Sequence, residues 1–195
     1  MKIIELILDE EQEESGIEAI SIVESGAIES DFIALSEQEI KLAEINKEKK
    51  ILMGALLIPN KPIYRNGSDG EYYIFFSKDT IVKASQMFLK NGNQNNATLE
   101  HEQALNGLTL VESWIVESET QDKSRMYGLN VPVGTWMGSV KVNNDDVWNE
   151  YVLSGKVKGF SIEGYFADKM ERPKEVIEED LSEQILSKIK NILNS

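Results

Sequence analysis

Apolar and polar residues alternate through several short stretches, and these predict strands. Lys2 to Leu8 is apolar between Lys2 and Glu5 and again after Glu5, and it reads as a mostly buried strand with Glu5 the exception. Gly16 to Val23 is rich in β-branched residues and predicts a second strand. Its period leaves two faces open. Either Glu18 shares a side with Ile20 and Ile22, or Ile17, Ala19 and Ser21 line the inner side and Glu18 is exposed. Asp31 to Leu35 is a short apolar piece, and the polar run Ser36 to Lys50 connects it to a buried strand over Lys50 to Ile58. Pro59 and Pro62 stop that strand, and Asn66-Gly-Ser-Asp-Gly70 is a turn. Aromatic content makes Glu71 to Phe76 a strand. Further strands are expected over Leu108 to Glu117, Met126 to Val131 and Thr135 to Val142, with a turn at Pro132-Val-Gly134. Thr98 to Glu102 is expected to be extended.

Helical spacing is clear in three places. In Ser77 to Lys90, Ile81, Ala84 and Phe88 share a face, and Ser77 or Asp79 can cap the start. Asn144 can cap a helix reaching Leu153, with Val147, Trp148, Tyr151 and Val152 as its apolar stripe and Gly155 as its stop. After Pro173, Glu175 to Leu193 places Ile177, Leu181, Ile185, Ile189 and Ile192 on one face of an amphipathic helix. It would dock on its own domain or pair with a partner. Two units follow: a domain over residues 1–170 and a helical extension over 171–195. No strand–helix–strand alternation is present. The expected class is therefore α+β and mostly antiparallel, with a closed barrel as one form open to it.

Composition narrows the function. The chain has 195 residues and 41% hydrophobic content, enough for one real core. The longest apolar run, Ile51 to Ile58, is far too short to span a bilayer, and no leader-like pattern opens the chain. A cytoplasmic setting is expected. A net charge of −14 argues against nucleic acid as a partner. There is no cysteine, hence no disulfide framework and no thiol nucleophile. The single histidine rules out a His-rich metal site and makes His101 the only imidazole for acid–base work.

The stretch with most chemical content is Lys156-Val-Lys-Gly-Phe-Ser-Ile-Glu-Gly-Tyr-Phe166. As a strand it turns Phe160 and Ile162 to one side and Ser161 and Glu163 to the other. Gly159 and Gly164 bracket the run and permit close approach of another backbone or of a substrate. Nearby N–H groups could serve an oxyanion. By itself this pattern favours a half-buried strand with a serine on its wet face. A serine needs a base to become a nucleophile, and His101 is the one candidate. Walker, dinucleotide-binding, zincin and G-x-S-x-G motifs are all absent.

Six stretches in order resemble the tailed-phage prohead (capsid maturation) serine proteases, in particular the XkdF-type branch. They are Gly16 to Val23 with Ala27 to Ile33, Glu100-His-Glu102, Val111 to Val116, Tyr127 to Pro132, Gly134-Thr-Trp-Met137 and Gly155 to Gly164. The resemblance covers most of residues 1–170. It implies a fold similar to the herpesvirus assembly protease, a mostly antiparallel β-barrel with flanking helices, and a serine endopeptidase that needs no cofactor or metal. Its substrates would be scaffold and major capsid proteins, cut inside the assembling prohead in the host cytoplasm, with a homo-oligomer as a further implied partner. Ser161 matches the family nucleophile and His101 the family base, with oxyanion donors on the backbone near Gly159 or Gly164. The third residue matches Glu18, on a strand displaced to the N-terminus, with Glu112 as the other candidate acid. The competing reading is a catalytically silent capsid-assembly or scaffold-associated module of the same fold. A third is an unrelated binding domain in which Ser161 and His101 never meet.

Overall fold

Most strands form where the apolar pattern asked for them, and they associate into three small sheets. The computed structural model describes residues 2–8, 15–24, 33–35, 49–67 and 70–168. The strands are β1 (Lys2–Ile7), β2 (Gly16–Val23), β3 (Ile33–Leu35), β4 (Ile51–Leu57), β5 (Ile63–Gly67), β6 (Gly70–Phe76), β7 (Ala97–Leu99), β8 (Gln103–Leu105), β9 (Leu108–Ile115), β10 (Trp136–Val142), β11 (Gly159–Tyr165) and β12 (Ala167–Asp168). One sheet has the order β12-β1-β6-β5, a second β3-β4-β10-β9 and a third β11-β2-β7-β8. All pairings are antiparallel except β1 with β6 and β2 with β7. The class is α+β. Hydrogen bonding among the described residues leaves three separate sheets, so the expected closed barrel is not formed by them.

The main helix, α1 (Lys78–Lys90), starts at Ser77, whose Oγ accepts from the Thr80 N–H. That bond satisfies one of the donors orphaned at a helix start. Ile81, Ala84 and Phe88 have no exposed surface, as their helical spacing predicted. Phe88 meets Trp136 edge-on, with centroids 5.7 Å apart, and so fastens α1 to β10. Leu52, Met53 and Leu56 of β4, Ile22 of β2 and Phe160 of β11 fill the same core. Burying a side chain of this size contributes about 1.5–3 kcal/mol. The third sheet turns its Ile22 and Phe160 side to this core, and its other side carries Ser21 and Ser161, which are also buried.

Some expectations fail for identifiable reasons. Ile63 to Gly67 is a strand, β5, although two prolines and a turn flank it. Its pairing with β6 and the Tyr64–Tyr73 edge contact at 5.8 Å supply what local preference lacks. Met126 to Val131 is not a strand. Lys123–Met126 is a short helical turn, α2, capped by Asp122. The Arg125 guanidinium then donates to the carbonyls of Leu129 and Val131 and to Asn130 Oδ1. One cation takes the acceptors that a neighbouring strand would have occupied. The Asn144 helix begins as expected, with Asn144 Oδ1 accepting from Val147 N–H at 3.1 Å. After the turn α3 (Asp145–Val147) it widens into a π-helical turn over Trp148–Val152, where Leu153 N–H bonds Trp148 C=O. Thr98 to Glu102 is extended only to Leu99 and then turns sharply. The acidic stretch 9–14, most of the connection 36–50 and the expected C-terminal helix lie outside the described residues.

Candidate functional site: a hydroxyl row with an imidazole and a carboxylate

The third sheet positions the candidate residues through its register. Ser161 on β11 pairs with Ser21 on β2, and Ser21 pairs with Thr98 on β7. Paired residues point to the same side of a sheet. Three hydroxyl-bearing residues therefore form a row across three strands. The adjacent row, Phe160, Ile22 and Leu99, faces the other way into the core. Burial of that apolar row fixes the register, since a slip of one residue would exchange the two faces. Glu163, two residues beyond Ser161, returns to the hydroxyl side and is paired with Ala19. A methyl at that point of β2 leaves room for a glutamate to lie across the strand toward β7.

His101 enters from the turn after β7. Glu100 and His101 both have positive φ, 52° and 61°. Glu102 N–H closes the turn on Leu99 C=O at 3.0 Å. Such left-handed pairs favour Asn and Gly, so two bulky residues are held there by surrounding contacts. Glu100 N–H bonds Ile22 C=O at 3.1 Å, and its carboxylate accepts from Glu24 N–H at 2.6 Å. His101 N–H donates to Ser21 Oγ at 3.0 Å, and Ser21 Oγ donates to Thr98 C=O at 3.4 Å. Ser21 is completely buried. It thus acts as a strut that carries the backbone of His101.

The imidazole is directed at a carboxylate. His101 Nδ1 lies 3.2 Å from Glu163 Oε1. Thr98 Oγ1 donates to the same oxygen. The side chains of His101 and Glu163 keep 42% and 28% of their surface exposed, so the pair sits at an accessible rim of the sheet. Ser161 lies deeper, 8% exposed. Its Oγ makes no hydrogen bond among the described residues, and no Ser161–His101 bond is formed in this state. Chemically, the face offers a hydroxyl, an imidazole whose Nδ1 is engaged, and a carboxylate anchored by a threonine.

The other candidates fall elsewhere. The register skips Glu18: Ala19 pairs with Glu163 and Ile17 with Gly164, so Glu18 is the extra residue of a bulge. It is exposed and lines an open pocket with Ser15, Gly16, Ile17, Asn91, Asn93 and Asn96, and its carboxylate has no partner among the described residues. Glu112, on β9, is held by Lys123 at 2.6 Å and by Ser139 Oγ at 2.5 Å. These bonds hold its carboxyl below the ordinary glutamate range. Gly164 has a packing reason: a Cβ there would stand 2.0 Å from Gly16 O. Gly159 is buried and paired with Val23. Sequence reasoning missed Glu163, Thr98 and Ser21 as site residues. The signal for Glu163 was present, since a residue two positions after the serine shares its strand face. Thr98 and Ser21 come from other strands and left no local signal.

Among the described residues no helix is long and apolar enough to cross a membrane. No curated protein and no solved structure matches the chain. Residues 39–171 match the family described as "Putative phage serine protease XkdF". That span takes in His101, Ser161 and Glu163 and leaves out β2, with Glu18 and Ser21. It covers more than half of the sequence, and the chain belongs to this family of phage serine proteases.

Proposed function

We propose that the protein is a serine endopeptidase of prohead maturation, with Ser161 as nucleophile and His101 as general base. The observation that carries this reading is the His101 Nδ1–Glu163 contact of 3.2 Å on the sheet face that bears Ser161. A carboxylate at Nδ1 leaves Nε2 as the basic nitrogen. Nε2 would take the proton of Ser161 Oγ as that oxygen attacks a peptide carbonyl. The tetrahedral oxyanion would be held by backbone N–H groups near Gly159 or Gly164. His101 would then hand its proton to the leaving amine, and water would release the acyl-enzyme. The Ser161–His101 hydrogen bond would close only with substrate in place, a common behaviour of empty sites. The substrates in this reading are scaffold and major capsid proteins inside the immature shell, in the host cytoplasm. The likeness to the herpesvirus assembly protease and an active homo-oligomer belong to the same proposal, and both rest on the sequence resemblance.

A second reading, a catalytically silent assembly module, is favoured by one feature. Ser161 is nearly buried and unbonded to the imidazole. Incubation with the scaffold and capsid proteins, followed by intact mass, separates the two. The endopeptidase yields discrete fragments that disappear with Ser161→Ala and with His101→Ala. Binding of the partners without cleavage by the wild-type protein would favour the silent module.

A further inference from the structure

Glu163 is the group at His101 Nδ1, and its placement is more elaborate than a chance surface contact requires. It reaches across β2 over the small Ala19, and Thr98 Oγ1 donates to the same Oε1 that faces Nδ1. Ser21, meanwhile, fixes the backbone of His101 from below. Two elements of different strands thus hold the ring and the carboxylate toward each other. Glu18 and Glu112 make no such contact: the first lies at a bulge by another pocket, the second is bound by Lys123 and Ser139.

We propose that Glu163, anchored by Thr98, is the positioning residue for His101, fixing the proton on Nδ1 and leaving the Nε2 lone pair for Ser161. The serine and its positioning carboxylate then come from one strand, spaced i and i+2. A single β-strand register presents both on the same face. The inference deepens the serine-endopeptidase reading and rests on it for its catalytic meaning. The orientation itself is a property of the folded chain and can be measured without any substrate.

The chain has one histidine, so its ring signals identify themselves. In nitrogen-15 correlation spectra of the protein, at a pH where the ring is neutral by its own titration, the wild type should show the Nδ1–H tautomer. Glu163→Met keeps the stem and removes the acceptor. It should move the ring toward the Nε2–H form that water favours, and Thr98→Val should do so in part. If Glu163→Met fails to fold by circular dichroism, Glu163→Ala serves instead. In the cleavage assay Glu163→Met should lower kcat by about a hundredfold or more, with KM little changed. An Nε2–H wild type, or a tautomer unmoved by the folded variant, would overturn the assignment. A tautomer that moves while no protein cleaves scaffold or capsid would leave the orientation standing and defeat the endopeptidase reading.

Discussion

His101 occupies a backbone position that its side chain disfavours. At φ 61°, beside Glu100 at φ 52°, a β-carbon crowds the following carbonyl. A left-handed residue other than glycine costs about 1–2 kcal/mol. Asparagine tolerates this region better than histidine. His101→Asn should therefore keep or raise stability by up to about 1 kcal/mol while ending cleavage. Urea midpoints measured beside the cleavage assay check both halves. A loss of stability greater than about 1 kcal/mol would count against strain at this turn. Ser21 makes the opposite trade. Its buried Oγ both accepts from His101 and donates to Thr98. Ser21→Ala leaves a buried N–H unpaired and should cost about 1–3 kcal/mol. The backbone conformation at residue 101 is thus held against local preference by the side chain at residue 21.

At the scale of elements, two strand pairs rest on side-chain details that alternation does not reveal. In the pair β2–β11, Gly164 admits the carbonyl of Gly16, and a methyl would collide with it at 2.0 Å. Gly164→Ala should break the bulge and lower the urea midpoint sharply, because the obstacle is backbone and cannot step aside. A midpoint equal to the wild type would refute the close approach. In the pair β9–β10, Glu112 faces Ser139 and is clasped by Lys123. The Lys123 and Ser139 bonds lower the folded pKa of Glu112 beneath its unfolded value. The stability it contributes is therefore present above the unfolded pKa and is lost as pH falls through the folded one. The difference in urea midpoint between wild type and Glu112→Gln should be greatest near neutrality and should narrow as pH falls below the ordinary glutamate range. An unchanging difference across that range would show that the clasp contributes no linkage.

Across the whole molecule, the candidate site is assembled from distant parts of the chain. Residues 21, 98, 101, 161 and 163 meet on one sheet, and both parallel pairings join strands separated by long connections. The described ends also meet, with β12 beside β1 and Phe166 edge-on to Phe76 at 4.8 Å. Long-range pairing of this kind makes the site dependent on global folding. Thermal unfolding followed by tryptophan emission, from buried Trp136 and Trp148, should coincide with loss of the native His101 ring signal. Earlier loss of the ring signal would mean that the third sheet opens as a unit of its own.

Much of the fold was legible because it is written locally. The strands β2, β4 and β6, the helix α1 and its Ser77 cap each follow from a run of adjacent residues, and so does the opposition of Ser161 to Phe160 across β11. The family likeness came from short motifs of the same kind, among them those that hold Ser161 and His101. Local signals gave out wherever satisfaction comes from afar. Arg125 turned an apolar run into a loop by taking its carbonyls, and β6 made a strand of residues that follow two prolines. The carboxylate beside the imidazole was not legible for the same reason. Glu18, Glu112 and Glu163 are alike as letters, and only the pairing of β11 with β2 and of β2 with β7 brings one of them to the imidazole. The sequence by itself determined which residues could do chemistry and which face of each strand they share. The tertiary structure decided which of them meet, because hydrogen-bond register between distant strands, set by burial of the opposite face, has no signature in either strand alone.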